Sequence, residues 1–143
     1  MRKMLLNSQN KALVVNGNAL SLDYGNAITI DSTRIYAYIA TDYKWKSASD
    51  SYSVVVPVTV GKQYVIAFTN TSSSLVGTIF RYGFTNSRTP SNQSLSQCVR
   101  TTPQAAPNVS LMANSDYLII QMGATVAATA ISNGYITVTE FPS

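Results

Sequence analysis

The chain of 143 residues contains no histidine and only one cysteine, Cys98. Because histidine is absent, neither a Ser-His-Asp or Cys-His nucleophilic system nor a histidine-ligated metal site can be built. A single cysteine cannot form a disulfide within the chain or a thiolate metal site alone, so we interpret Cys98 as a small buried hydrophobic residue. The sequence also lacks a P-loop and a GxGxxG motif. These absences predict no catalytic residues, no cofactor and no bound metal ion.

Carboxylates are also scarce, with six aspartates and glutamates in the whole chain. Glycoside hydrolysis uses two carboxyl groups about 5–10 Å apart. Asp42 and Asp50, which flank Trp45, are the only local pair that could supply them. Aspartate in a turn more often forms an Asx-turn or caps a helix, and no DxDxDG calcium loop is present. We therefore expect a protein that is not an enzyme.

Charge and long apolar runs are equally limited. The formal net charge is +4, and the ten basic residues are scattered without a run of four, whereas a nucleic-acid-binding protein usually concentrates them on one face. No apolar run approaches the roughly 20 residues of a membrane span. Met1–Leu6 begins like a signal peptide, but the polar Asn7–Asn10 interrupts it. We expect a soluble protein made in a cytoplasm, without a nucleic-acid or membrane partner.

The strongest structural signal lies between Tyr52 and Phe84. Apolar residues recur with period two in Tyr52–Val60, Gln63–Thr69 and Thr78–Phe84, and Gly61-Lys62 supplies a tight turn after the first segment. Alternation of β-branched and aromatic residues at this period is typical of half-buried antiparallel strands. We therefore predict three strands in this stretch.

The rest of the chain extends the same pattern. We predict further strands at Ala27–Ile30, Arg34–Ala40, Tyr117–Met122 and Tyr135–Phe141, loops at Thr41–Ser51, Asn86–Gln97 and Thr101–Asn108, a short helix within Gly123–Ser132, and a hairpin turn at Asn133-Gly134. About seven to nine short strands without an amphipathic helix are typical of an all-β protein, an antiparallel β-sandwich or jelly roll. At this length the chain forms one core.

Residues 1–26 differ from the rest, with short apolar pieces separated by Asn-rich turns. Asn16-Gly17 is a hairpin signal, and an isolated hairpin is marginal in water. This segment must dock on the body, on a sister subunit or on another protein, and its polar junction at Asp23–Asn26 favours docking between chains. We predict residues 1–26 as an N-terminal docking and oligomerisation arm of short strands and residues 27–143 as the β-sandwich (jelly-roll) domain.

The predicted assembly residues are the aliphatic residues of this arm and two tyrosines of the Arg34–Ala40 strand. If the aliphatic face of that strand points inward, its tyrosines lie outside beside Arg34, as is common at interfaces; alternatively, both faces of the strand are covered. The assembly residues are Leu5, Leu6, Leu13, Val14, Val15, Leu20, Leu22, Tyr36 and Tyr38.

A ligand site is predicted from aromatic and polar side chains around the only tryptophan. Sugars bind to an apolar wall with a few polar anchors. Tyr43, Trp45 and Tyr52 could form the wall. Hydrogen-bonding partners for a glycan would be Arg81, Asn86 and Arg88. The alternative is that Trp45 covers one end of the core and Arg81 is an ordinary outward strand residue.

Three segments resemble a known group of proteins. Val55–Ile66, Phe80–Ser87 and Ala113–Met122 resemble the jelly-roll modules of bacteriophage tail, fibre and head-decoration proteins, which are similar to galactose-binding-like carbohydrate modules. The shared positions are the Gly61 turn, the arginine-bearing Arg81-Tyr82-Gly83-Phe84 and Tyr117-Leu118. Met4–Gly17 is similar to the starts of small virion proteins of gut phages. The resemblance covers most of residues 43–140.

The resemblance implies a virion structural protein: a head fibre, decoration or tail-fibre component, forming a homotrimer. Its partners would be other virion proteins of the capsid or tail, sister subunits and host surface glycans, and it would be located in the virion after assembly in the host bacterial cytoplasm. Two departures, an Asn86–Gln97 loop without a sugar-binding set and the N-terminal arm, favour assembly. The alternatives are a carbohydrate-binding module at a bacterial cell surface, and a glycan-degrading enzyme that uses Asp42 and Asp50.

Overall fold

The computed structural model describes residues 4–6, 12–16, 19–23, 25–33 and 35–142. Within the first three of these segments only the backbone is described. In this part of the chain the elements are, in order, β1 (Met4–Leu6), β2 (Ala12–Asn16), β3 (Ala19–Asp23), β4 (Asn26–Ile28), β5 (Ile35–Ile39), β6 (Lys44–Pro57), β7 (Gln63–Phe68), α1 (Ser73–Val76), β8 (Phe80–Thr85), β9 (Gln93–Ser94), β10 (Ser96–Thr101), β11 (Asn108–Met112), β12 (Tyr117–Gly123), α2 (Ala124–Ser132) and β13 (Ile136–Phe141).

The protein is an all-β antiparallel sandwich, as the strand pattern predicts. The first layer, sheet I, has the order β10-β8-β12-β6-β5, and β9 pairs with the beginning of β6. The second layer, sheet II, has the order β11-β7-β13-β4. β1, β2 and β3 form a separate three-stranded N-terminal sheet. The finer description as a jelly roll stays a prediction.

The core between sheets I and II is built from the alternating residues of the central strands. Each strand contributes every second side chain, since period two places these on one face. The buried residues of the inner face include Tyr52, Val54 and Val56 of β6, Tyr64, Ile66 and Phe68 of β7, Phe80, Tyr82 and Phe84 of β8, and Leu118, Ile120 and Met122 of β12. The burial of these alternate residues confirms the predicted alternation. Between the two sheets, the Phe68 and Phe80 rings meet edge to face with centroids 4.8 Å apart.

The outer face of sheet I carries a second, smaller cluster. Its buried members, here called the outer cluster, are Ala37, Ile39, Trp45, Val55, Leu95 and Ile119. The cluster exists because the register between β5 and β6 shifts: Tyr36 pairs with Tyr52, but Ala37 pairs with Ser47. The end of β5 and the beginning of β6 therefore form a flap over the sheet, and its apolar side is buried against Val55 and Ile119.

Several predicted boundaries are wrong. Thr41–Ser51 was expected to be a loop, but β6 begins at Lys44 because this polar segment pairs with β5 and β9. The predicted loop Asn86–Gln97 contains β9 and the start of β10. The strand predicted over Tyr52–Val60 ends earlier, at Pro57. Val60 lies next to the turn and is 56% exposed.

The predicted short helix is confirmed as α2, but the hairpin signal after it is not a hairpin. Asn133 caps the C-terminus of α2, and Gly134 has a φ of 69°. Asn-Gly suits both a hairpin turn and the left-handed residue that ends a helix. Neither helix in the described residues has the length and apolarity to cross a bilayer.

Candidate docking and ligand-binding surfaces

The register of the N-terminal sheet sorts its residues onto two faces. Leu5 pairs with Leu13, Leu13 with Leu22, and Val15 with Leu20. Because paired residues and residues two apart share a face, these five aliphatic residues lie on one face, here called the aliphatic face. Their side-chain contacts, and those of every other predicted assembly residue of residues 1–26, lie outside the described part of the chain.

The opposite face of the same sheet is mixed. Leu6 and Val14, which were predicted as assembly residues with the others, lie on this second face. Val14 pairs with Ser21, and Ala12, the partner of Leu6, pairs with Asp23. The second face therefore carries polar residues, Ser21 and Asp23, which the aliphatic face lacks at its paired positions. In β2 the neighbouring residues Leu13 and Val14 lie on different faces.

The N-terminal segment joins the sandwich at β4. Asn26, predicted as the last residue of the arm, pairs with Glu140 in sheet II. Gly25 has a φ of 66°, and a Cβ there would lie 2.8 Å from the carbonyl oxygen of Glu140. An open, mainly apolar cleft of about 230 Å³ lies beside this junction, with Ile30 and Ile131 among its lining residues.

The predicted assembly tyrosines lie on β5, at the edge of sheet I. Ala37 and Ile39 are buried, whereas Tyr36 is 47% exposed and Tyr38 is half-buried. Of the two alternatives for this strand, the arrangement fits the one with a buried aliphatic side and outward tyrosines, and a role of the tyrosines in assembly stays a prediction. Arg34, expected beside the tyrosines, lies outside the described residues.

Two of the three predicted glycan-wall residues are buried. The Trp45 ring is fully buried in the outer cluster, and its Nε1 donates to the Ser53 Oγ at 3.2 Å. Tyr52 is 2% exposed in the main core, and its hydroxyl donates to the carbonyl oxygen of Ser32 at 2.6 Å. Neither ring presents a face to a ligand. The third, Tyr43, is 51% exposed at a φ of 62°.

The predicted polar partners lie in two places rather than one. Asn86 Oδ1 accepts from the backbone N–H of Asp116 at 3.1 Å, and the Arg88 guanidinium lies over the Tyr117 ring, 5.7 Å from its centroid. Arg81 lies elsewhere on sheet I, where its Nη1 donates to the carbonyl oxygen of Ile39 at 3.1 Å. The six residues do not form a single site, and glycan binding by any of them stays a prediction.

A polar row crosses the outer face of sheet I. The register places Arg100 beside Arg81, Arg81 beside Gln121, and Gln121 beside Ser53. Every member holds the flap: Gln121 Oε1 accepts from Ile39 N–H at 2.7 Å, and Ser53 Oγ donates to the Ala37 carbonyl at 2.8 Å. Arg100 Nε donates to the Ile39 carbonyl at 3.3 Å.

Sequence reasoning missed three members of this row, namely Ser53, Arg100 and Gln121. A signal was present for one of them, since Gln121 is a polar residue within the strongly apolar strand β12. Gln121 is 1% exposed, and a buried amide requires hydrogen-bond partners. Such a residue indicates that something packs on the outward face of its strand.

The titratable groups have simple local partners. Asp42 accepts from Lys46 Nζ at 3.0 Å, and this hydrogen bond is the main reason why the pKa of Asp42 is lowered. A general acid works best with a pKa near the operating pH, so the direction of this shift is opposite to the one that such a role requires. Burial raises the pKa of the half-buried Cys98 to about 11, so its thiol stays protonated. Among the described residues, no group of three or more cysteine, aspartate or glutamate side chains could hold a metal ion.

Comparison of the chain with known protein families, with curated proteins and with solved structures finds no match. By its fold the protein belongs to the class of all-β sandwiches, here with an additional N-terminal sheet. The surfaces of these sheets carry the information on function.

Proposed function

We propose that this chain is a non-enzymatic structural protein of a bacteriophage virion, a head fibre, decoration or tail-fibre component. In this role the N-terminal sheet docks the molecule and the β-sandwich, in a jelly-roll arrangement, is displayed. The observation that carries the proposal is the register of the N-terminal sheet, which collects Leu5, Leu13, Val15, Leu20 and Leu22 on one face.

A sheet of this size cannot bury such a face by itself. The strands have three to five residues, and small isolated sheets need a second layer for stability. Association through apolar surface is the usual use of a large aliphatic patch. The polar junction before β4 favours a second layer that comes from another chain.

The partners in this proposal are sister subunits, arranged as a homotrimer, and other proteins of the capsid or tail. Threefold closure suits a fibre, because a cyclic arrangement satisfies every interface. Loops of the sandwich, including the segment around Arg88, would contact host surface glycans. The burial of Trp45 weighs against the alternative of a carbohydrate-binding module, which placed that ring at its binding site.

Light-scattering mass measurements test the docking role. The full chain is compared with a version that starts at Gly25, which keeps the pairing of β4 with β13. We expect a defined oligomer for the full chain and a folded monomer for the shorter one. Folded monomers in both cases would contradict self-assembly through the N-terminal sheet. Mass-spectrometric detection of the chain in purified phage particles tests the virion assignment separately.

A further inference from the structure

Two arginines on neighbouring strands share one hydrogen-bond acceptor on the outer face of sheet I. Arg81 of β8 pairs with Arg100 of β10. Arg81 Nη1 and Arg100 Nε donate to the same carbonyl oxygen, that of Ile39, at 3.1 and 3.3 Å. The two guanidinium groups therefore lie side by side at the end of the flap.

No carboxylate balances this pair in the described residues, where the ion pairs are Lys46–Asp42 and Lys62–Glu140. Like charges at directly paired positions destabilise a sheet. Both arginines are half-buried, which reduces the screening of their repulsion by water. Burial and then the charge of Arg100 lower the pKa of Arg81, in agreement with this geometry, although a guanidinium stays protonated at any physiological pH.

The position of both groups is fixed by the backbone that they contact. Gln121 Oε1 accepts from the N–H of Ile39 at 2.7 Å. Side chains therefore hold both backbone polar groups of Ile39, its N–H and its carbonyl oxygen. The bond to Ile39 uses one nitrogen of each guanidinium, and each guanidinium has three nitrogens with five N–H donors. Planar guanidinium groups match the geometry of carboxylate, phosphate and sulfate.

We propose that Arg81 and Arg100 together bind one oxyanion, which is either a free inorganic anion or the acidic group of a sugar. The bound anion would bridge the two guanidinium groups and offset their repulsion. This ligand site is separate from the N-terminal sheet, so it can exist whether or not that sheet docks to another chain.

Nuclear magnetic resonance titration of the full chain tests the site, with the arginine Nε–Hε signals as the readout. The probes are sulfate, phosphate, glucuronate and neutral glucose, each added at constant ionic strength. We expect saturable shifts at Arg81 and Arg100 with at least one of the three anions and none with glucose. A preference for sulfate or phosphate indicates a free anion, and a preference for glucuronate indicates an acidic sugar.

Two variants make the assignment specific. Arg100→Gln should abolish the saturable shifts, whereas Lys62→Gln, which removes a positive charge beside Glu140 of sheet II, should leave them unchanged. If Arg100→Gln does not fold, Arg100→Lys keeps the charge but loses the planar fork, and binding should weaken on the order of tenfold. Linear shifts in the natural chain, or equal affinity in Arg100→Gln, would overturn the proposal.

Discussion

At the scale of single residues, Trp45 is the centre of the outer cluster and not an exposed ring. It is fully buried, and its indole N–H is satisfied by Ser53. Truncation of a buried tryptophan leaves a cavity, so we expect Trp45→Ala to lower the free energy of unfolding by about 3–5 kcal/mol. Urea unfolding followed by circular dichroism measures this loss.

Tyr43→Ala is the matched control, since Tyr43 is 51% exposed and lies only two positions away. Substitution of such a surface residue should change the free energy of unfolding by less than about 0.5 kcal/mol. If Trp45→Ala were as stable as the natural chain and instead lost affinity for a glycan, the structural role of the ring would be refuted.

A second prediction at this scale concerns Glu140. Its Oε2 accepts from the Tyr64 hydroxyl at 2.7 Å and its Oε1 from Lys62 Nζ at 3.1 Å. These two hydrogen bonds, the one from Tyr64 first, lower the pKa of Glu140 below its ordinary value of 4.5. The folded state therefore binds fewer protons than the unfolded state, so the stabilisation is present above about pH 4.5 and is lost as the pH falls through the lowered pKa.

Glu140→Gln should accordingly lower the free energy of unfolding by about 1–2 kcal/mol at pH 7, less than a fully buried charged hydrogen bond would contribute, because the Glu140 side chain is 21% exposed. Denaturant titrations between pH 7 and pH 3 should show this difference shrinking towards the acid end. A difference that stays constant over this range would contradict the assignment. Asp50→Asn, which changes an exposed carboxylate, serves as the control.

At the scale of the elements, the approach of the β9–β10 segment to β8 depends on Gly83. A Cβ at this position would lie 2.7 Å from the Cβ of Leu95, and neither atom can move without a backbone shift. We expect Gly83→Ala to lower the free energy of unfolding by about 2–3 kcal/mol through overpacking. Thermal or urea unfolding of the purified variant measures the loss.

Gly134→Ala is the comparison for this prediction. Nothing lies within 4 Å of a Cβ added at Gly134, but its φ is 69°, so only the left-handed backbone opposes alanine. The expected loss is about 1 kcal/mol. Equal losses in the two variants, or a larger loss in Gly134→Ala, would show that the close approach of Leu95 is not what excludes a side chain at Gly83.

The elements that the sequence predicted are those that form the main core. Strands β6, β8 and β12 of sheet I and β7 of sheet II bury alternate residues between the two sheets, and this burial appears in the sequence as period two. β10 and β11 were missed because they alternate only between half-buried and exposed residues. Their position is determined by pairing: β10 pairs with β8, and β11 pairs with β7, which is distant from it in sequence.

The candidate sites were predictable to a smaller extent for the same reason. Arg81 was predicted as a hydrogen-bonding partner for a glycan, but the position of Arg100 beside it follows only from the register of two strands. The burial of Trp45 depends on the shifted pairing of β5 with β6, which places the flap over sheet I. Composition around Trp45 is polar on both sides, so the sequence could not decide between a ligand wall and a core residue.

At the scale of the whole molecule, the two kinds of surface are found on different parts of the fold. The aliphatic face belongs to the N-terminal sheet, which precedes β4. The paired arginines belong to the outer face of sheet I, whereas β4 belongs to sheet II. Assembly through the first surface and ligand binding at the second are therefore carried by separate sheets and can be changed independently by mutation.

The strictest test of the assembly role compares two neighbouring residues of β2 in the full chain. Leu13 lies on the aliphatic face between Leu5 and Leu22, whereas Val14 lies on the mixed face and pairs with Ser21. A lysine buried in an apolar interface loses its hydration without gaining a partner. We therefore expect Leu13→Lys to weaken self-association on the order of a hundredfold, because a loss of about 2.7 kcal/mol corresponds to that factor.

Val14→Lys introduces the same charge on the other face and should keep the oligomeric mass of the natural chain. Light scattering over a range of concentrations measures both variants, and circular dichroism confirms that the sandwich is retained in each. Dissociation of both variants to the same extent would mean that any charge in β2 disrupts the N-terminal sheet, and dissociation of Val14→Lys alone would assign docking to the opposite face. Only the selective loss in Leu13→Lys agrees with a docking surface formed by alternate residues of β1, β2 and β3.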